Sequence, residues 1–188
     1  DFCFPSKEEA NGGLTILVAR ERHSKMTMAS VVPTKSTGTF IARRIWAYLR
    51  EIGCKHGDII LKSDQEPSIL ALVDHIAEER KTKGFKTQKM VAPKKSHASM
   101  GFIEAMNDQV AKQIRVLKLQ LEASMGRRIP VFHRIMPWLV RHSGWLLNRF
   151  AVRQSTGKTA YHVLRGKPYR GELATLGEMV WARVPGDR

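Results

Sequence analysis

The 188 residues hold 32 Lys and Arg against 17 Asp and Glu, a formal net charge of +15. That length suits one ordinary domain with a buried core and a short appendage. The charge calls for a polyanionic partner, nucleic acid before an anionic membrane, because no apolar stretch approaches the roughly 20 residues that a spanning helix needs.

Asp1-Phe2-Cys3-Phe4 opens the chain as a strand. Leu14 to Ala19 and Met26 to Val32 are β-branched-rich runs on either side of the polar Arg20 to Lys25, which predicts an antiparallel hairpin and, with the opening strand, a three-stranded meander. Thr37 or Thr39 can cap a helix whose apolar positions Ile41, Ile45, Tyr48, Leu49 and Ile52 follow helical spacing, with Gly53 as the stop. Asp58 to Lys62 has an unbroken apolar centre and reads as a central strand covered on both faces. Pro67 fits the first turn of a helix burying Ile69, Leu70, Val73, Ile76 and Ala77, and Phe85 to Val91 supplies a last strand.

Ala92 to Ser99 is a basic, small-residue loop. From Gly101 a stripe of Ile103, Met106, Val110, Ile114, Leu117 and Leu121 predicts a long helix, with Glu104, Asp108, Ala111, Arg115 and Lys118 on a second stripe. Val131 to Phe150 is a second helical region that Pro137 should kink or divide, and its Met136, Trp138 and Trp145 read as core or as a partner-binding face. The tail offers a short helix over Thr159 to Leu164 and a strand over Glu178 to Val184. The expected domains are a core over 1–150 and an extension over 151–188.

Only Cys3 and Cys54 are present, in no zinc spacing, and the seven histidines form no H-x-x-x-H pair. No phosphate loop of the Gly-x-x-x-x-Gly-Lys type occurs, which argues against an ATP-driven motor. The two cysteines, far apart in sequence, lead one to expect a reducing intracellular setting. The start shows no basic and apolar regions of a signal peptide, and, beginning on a candidate functional residue, the chain reads as a piece of a longer polypeptide.

Three carboxylates stand out. Asp1 opens the first strand, Asp64 ends the apolar run Ile59-Ile60-Leu61-Lys62-Ser63-Asp64, and Glu104 lies in Ser99-Met100-Gly101-Phe102-Ile103-Glu104 at the start of the long helix. Gathered in one place they would repel one another unless a cation neutralised them, and hard oxygen donors select Mg²⁺ or Mn²⁺.

The order of elements, with Asp1, Lys62-Ser63-Asp64 and the small-residue, Gly, then Glu entry to the helix, resembles the integrase catalytic core of retroviruses and LTR retrotransposons, of the ribonuclease H-like superfamily. Thr156-Gly157-Lys158-Thr159-Ala160-Tyr161-His162 through Pro168, and Leu176-Gly177-Glu178-Met179-Val180, resemble the segment after the core in copia-like elements. The resemblance implies an α/β fold: a five-stranded mixed sheet flanked by helices, then C-terminal helices and a terminal strand. It further implies that Asp1, Asp64 and Glu104 are catalytic and hold two divalent ions about 3.5–4 Å apart, for phosphodiester hydrolysis and strand transfer joining element ends to a target duplex. Lys94, Lys95, Lys112, Arg115 and Lys118 become candidates for phosphate contacts, beside the plainer reading of a solvated helix face. A homo-oligomer and a nucleus or virus-like particle follow from the same likeness.

Two departures bear on these expectations. Gln65-Glu66-Pro67 replaces the family's Asn-Gly and acidic-aromatic turn after Asp64, and the gap to Glu104 is a few residues longer than the retroviral pattern, which makes Asp108 a substitute third ligand. A decayed or domesticated nucleic-acid-binding relative is one rival reading; a ribonuclease H is another.

Overall fold

Alternating side chains decide the first sheet. In the computed structural model, which describes residues 2–3, 14–32, 38–93 and 97–181, the strands β1 (Phe2–Cys3), β2 (Thr15–Arg20) and β3 (Thr27–Val32) pair antiparallel in that order. Phe2 lies opposite Leu17 and Thr15 opposite Val32, as the predicted meander requires. Phe2, Leu17, Met28 and Val32 point to one core, whereas Cys3, Ile16, Val18 and Ala29 point to the other. Both faces are therefore covered.

The first core is closed by α1 (Thr39–Glu51) and α2 (Pro67–Lys81), the second by α3 (His97–Met125) and α4 (Met136–Phe150). Helices thus sandwich the sheet in three layers. The short α5 (Ala160–Arg165) sets Ala160 and Leu164 against the first core, and Leu176 enters the second. Thr159 caps α5 by accepting from the His162 amide, and Gly166, left-handed at φ 72, ends it.

The remaining strands, β4 (Ile59–Ser63) and β5 (Thr87–Val91), run parallel with α2 as their crossover. Ile59 and Leu61 join the same core as Phe2 and Leu17, although among the described residues the five strands form two ladders, of three and of two. The covering of β4 on both faces is corrected: Ile60 is 60% exposed, as are Met90 and Val91 in good part. The cause is reach, since α3 lies along β2 and α4 along β3, while β4 and β5 have only α2 against them as a principal partner.

Other expectations shift in detail. Pro137 does not kink a helix but begins one, because its missing N–H falls in the first turn of α4, where no partner is needed. Gly38 is the N-cap of α1, without a side-chain cap bond; Thr39 is already helical and Thr37 lies outside the described residues. The long helix starts at His97, inside the segment expected to be a loop. At the predicted terminal strand, residues 178–181 have no strand partner and Trp181 is fully exposed, while 182–184 lie outside the described residues. Met136 is core, but Trp138 is half exposed and stacks on His142, which stacks in turn on Trp145.

Strand β3 is clipped at its first residue by a side chain. The buried Asn148 of α4 accepts from the Thr27 amide (2.8 Å) and donates to the Thr27 carbonyl (2.7 Å), as a neighbouring strand would. Gly144, one turn earlier, lets the helix come this near: a Cβ there would sit 3.4 Å from the Ala29 nitrogen. Asn148→Ala is expected to destabilise by about 1–3 kcal/mol for each stranded backbone group, read as a lower midpoint in urea unfolding.

Candidate active site

β4 ends at buried Ser63, and Asp64 is the first residue past its carboxyl end, half-buried. The Ala92 amide donates to the Ser63 carbonyl at 2.8 Å, carrying the parallel ladder one step beyond β5. The Gln65 side-chain amide donates to the Ala92 carbonyl (3.1 Å), and Asp64 Oδ1 accepts from the Glu66 amide (3.2 Å). Pro67 then starts α2. The Gln-Glu-Pro turn that departs from the family pattern is therefore a stitched one: it ties the ends of both parallel strands together and fixes the carboxylate of Asp64 by its own backbone.

Glu104 stands exposed on α3, at the border of the stripe that buries Met106, Val110 and Ile114. Cys3 of β1 packs into the core that Ile103 and Met106 share, so the first strand meets the beginning of this helix. Burial pushes the Cys3 thiol up to about 11 and keeps it protonated. Asp108, the substitute, is exposed and held by Lys112 at 2.6 Å. Asp1, Lys94 and Lys95 lie outside the described residues. Among the described residues no three acidic, His or Cys side chains gather as a metal-binding group.

On the predicted basic face, Lys112 pairs with Asp108, Lys118 lies 3.9 Å from Glu122, and Arg115 is exposed with its Nε turned to the Ala111 carbonyl (3.3 Å). The Lys112–Asp108 pair is exposed, and such i,i+4 pairs contribute only about 0.3–0.5 kcal/mol, so a phosphate can displace Asp108 at little cost; Glu122 is more covered and also accepts from the Ile129 amide at 2.7 Å.

A second basic group forms at the turn joining β2 to β3. Glu21 shapes it, accepting from the amides of His23 (2.6 Å) and Ser24 (2.5 Å) and from Ser24 Oγ (2.5 Å). Burial alone would raise this carboxyl, but the bonds from Ser24 and His23 outweigh it and hold Glu21 below its ordinary 4.5. A depressed folded pKa means stability that is present above the unfolded value and lost as pH falls through the folded one. The amide resonances of His23 and Ser24 should accordingly hold steady at neutral pH and move as the solution is acidified below about 4.5.

Around this turn Arg20 Nη1 donates to the Phe102 carbonyl (3.4 Å), and Arg153 Nη2 donates to the Ser24 carbonyl. The Arg20 guanidinium and the Lys25 ammonium lie 4.3 and 4.0 Å from the centre of the Phe102 ring. Lys25, at φ 63, has its pKa lowered by burial and then by Arg20, Arg153 and Arg22. The sequence marks Arg20 to Lys25 only as a hairpin loop. Its legible signal is three cations to one acid; the arrival of Arg153 depends on tertiary folding.

No protein-family model matches this sequence, and no curated protein matches it. Solved structures do. The catalytic core domain of BIV integrase superposes with a TM-score of 0.58 at 19% identity, over 88% of this chain and 91% of that one. A chain of the simian T-cell lymphotropic virus intasome, solved with PP2A regulatory subunit B56 gamma, gives 0.63 at 12% identity over 97% of this chain. This chain spans 58% of that second one. At such identities the shared property is the fold, and it is the fold of integrase cores.

Proposed function

We propose that this chain, folded as an integrase core, is the catalytic core of a retrotransposon or retroviral-type integrase that hydrolyses phosphodiesters at element DNA ends and joins those ends to a target duplex. The observation that carries the reading is Asp64 at the carboxyl end of a parallel strand, where open α/β sheets place their ligands. A net charge of +15 supports a DNA partner.

Asp1, Asp64 and Glu104 would hold the metal, and a donor set made only of carboxylate oxygens fits Mg²⁺ or Mn²⁺. Two such ions supply activation of water or a DNA 3′-hydroxyl and stabilisation of the leaving oxygen. The chain's own part is placement. The Glu66 amide orients Asp64 through Oδ1, while the α3 helix presents Glu104 from the opposite side of the sheet layer to α2. Lys112, Arg115 and Lys118, with Lys94 and Lys95 before the helix, neutralise backbone phosphates irrespective of base sequence. Joining two ends in concert draws on a homo-oligomer, in a nucleus or virus-like particle.

Incubating the chain with short element-end duplexes and Mn²⁺ tests the reading. Joined products that vanish in Asp64→Asn support it. A wild type that binds DNA yet joins nothing, or one that cuts RNA–DNA hybrids, overturns it.

A further inference from the structure

The β2–β3 turn gathers Arg20, Arg22, Lys25 and Arg153 about a single carboxylate, Glu21, whose oxygens are already taken by the turn's own amides and hydroxyl. Arg20 and Arg153 are pinned by backbone carbonyls, and Arg20 and Lys25 by the Phe102 ring, so these cations are held in place before any ligand arrives. Like charges crowded together are relieved by an anion, and prepositioned donors bind one with little loss of side-chain freedom.

Position identifies the anion. Phe102 and Glu104 are two residues apart on α3, about 200° around the axis at 100° per residue, so they flank the buried stripe on opposite sides. A helix with its side chains is about 10 Å across, and a DNA strand rises about 3.4 Å per nucleotide. The turn therefore lies on the order of three nucleotides from the carboxylate of Glu104. We infer that the β2–β3 turn, braced on Phe102, is a docking point for the phosphate backbone of the same duplex whose bond is cut near Glu104. This rests on the integrase reading and adds to it a surface on the far flank of the helix from the carboxylates.

The test is the salt dependence of duplex binding by the full chain, followed by fluorescence anisotropy. The double variant Arg22→Gln/Lys25→Gln removes charge from side chains that make no backbone tether here, and Arg20→Lys keeps charge while altering the tether. The plot of log affinity against log salt should flatten by about 2 in the double variant, about one for each lost phosphate contact, and keep its slope in Arg20→Lys. Unchanged thermal unfolding guards against misfolding. A double variant with the wild-type slope overturns the docking surface and leaves the integrase reading standing. A wild type with no salt-dependent binding overturns that reading, and the docking surface with it.

Discussion

Asp64→Asn should abolish Mn²⁺-dependent strand transfer while leaving the protein folded. Asparagine keeps an Oδ1 acceptor for the Glu66 amide, so the turn into α2 survives. In the proposed reading, what disappears is a negative charge that would hold the divalent ions. Several kcal/mol of transition-state charge stabilisation depend on such ions, and each 1.36 kcal/mol is tenfold, so a loss of about a thousandfold or more is expected. Glu104→Gln should fall comparably. Asp108→Asn should retain activity, because Asp108 already serves Lys112 at 2.6 Å. Should Asp108→Asn be the dead variant and Glu104→Gln the live one, the third ligand lies one turn further along α3. Gel-resolved product yields at equal enzyme concentration, with matched circular dichroism, decide between them.

Arg80→Met should be among the most destabilising single changes in the chain. Arg80 is 0% exposed, the largest of the fully buried side chains. Its Nη1 donates to the carbonyls of Cys54 (3.3 Å) and Lys55 (3.2 Å), its Nη2 to that of Gly57, and its Nε to Thr87 Oγ1 (3.0 Å). One guanidinium thereby fixes the loop from α1 to β4, the end of α2 and the start of β5. Methionine fills much of the volume but strands those acceptors, and a buried group left unpaired costs about 1–3 kcal/mol. With relaxation of the loop, a net loss of about 3 kcal/mol is expected, or roughly 6–12 °C in Tm for a chain of this size. Lysine should rescue little, because its single ammonium cannot spread over three carbonyls and a hydroxyl as the planar fork does. Wild-type melting in Arg80→Met would show that the loop holds without it.

Elements with a clean period were legible in the sequence. The two apolar, β-branched-rich runs on either side of the polar Arg20 to Lys25 placed the hairpin, whose side chains fill a core on each face, and the stripe from Ile103 to Leu121 placed α3, because it buries one continuous face. Features resting on a distant partner were not. Arg80 reads as an ordinary charge near a helix end, Asn148 as a polar interruption of an apolar helix, and Ile60 as core; in each case the residue opposite decides, and it lies far along the chain. The candidate site divides the same way. Asp64 follows from its strand and Glu104 from its helix, whereas the cluster of Arg20, Lys25 and Arg153 required the chain to fold back on itself.

The Asn148 clip has a bearing on how copies of this protein can meet. At Thr27 the rim's donor and acceptor are already matched, which leaves a foreign strand no partner there, and at the other ladder Lys86, just before β5, and Lys89, on it, place charge at the strand. Both devices work against sheet continuation between copies, the kind of head-to-tail contact that carries a risk of open-ended fibres.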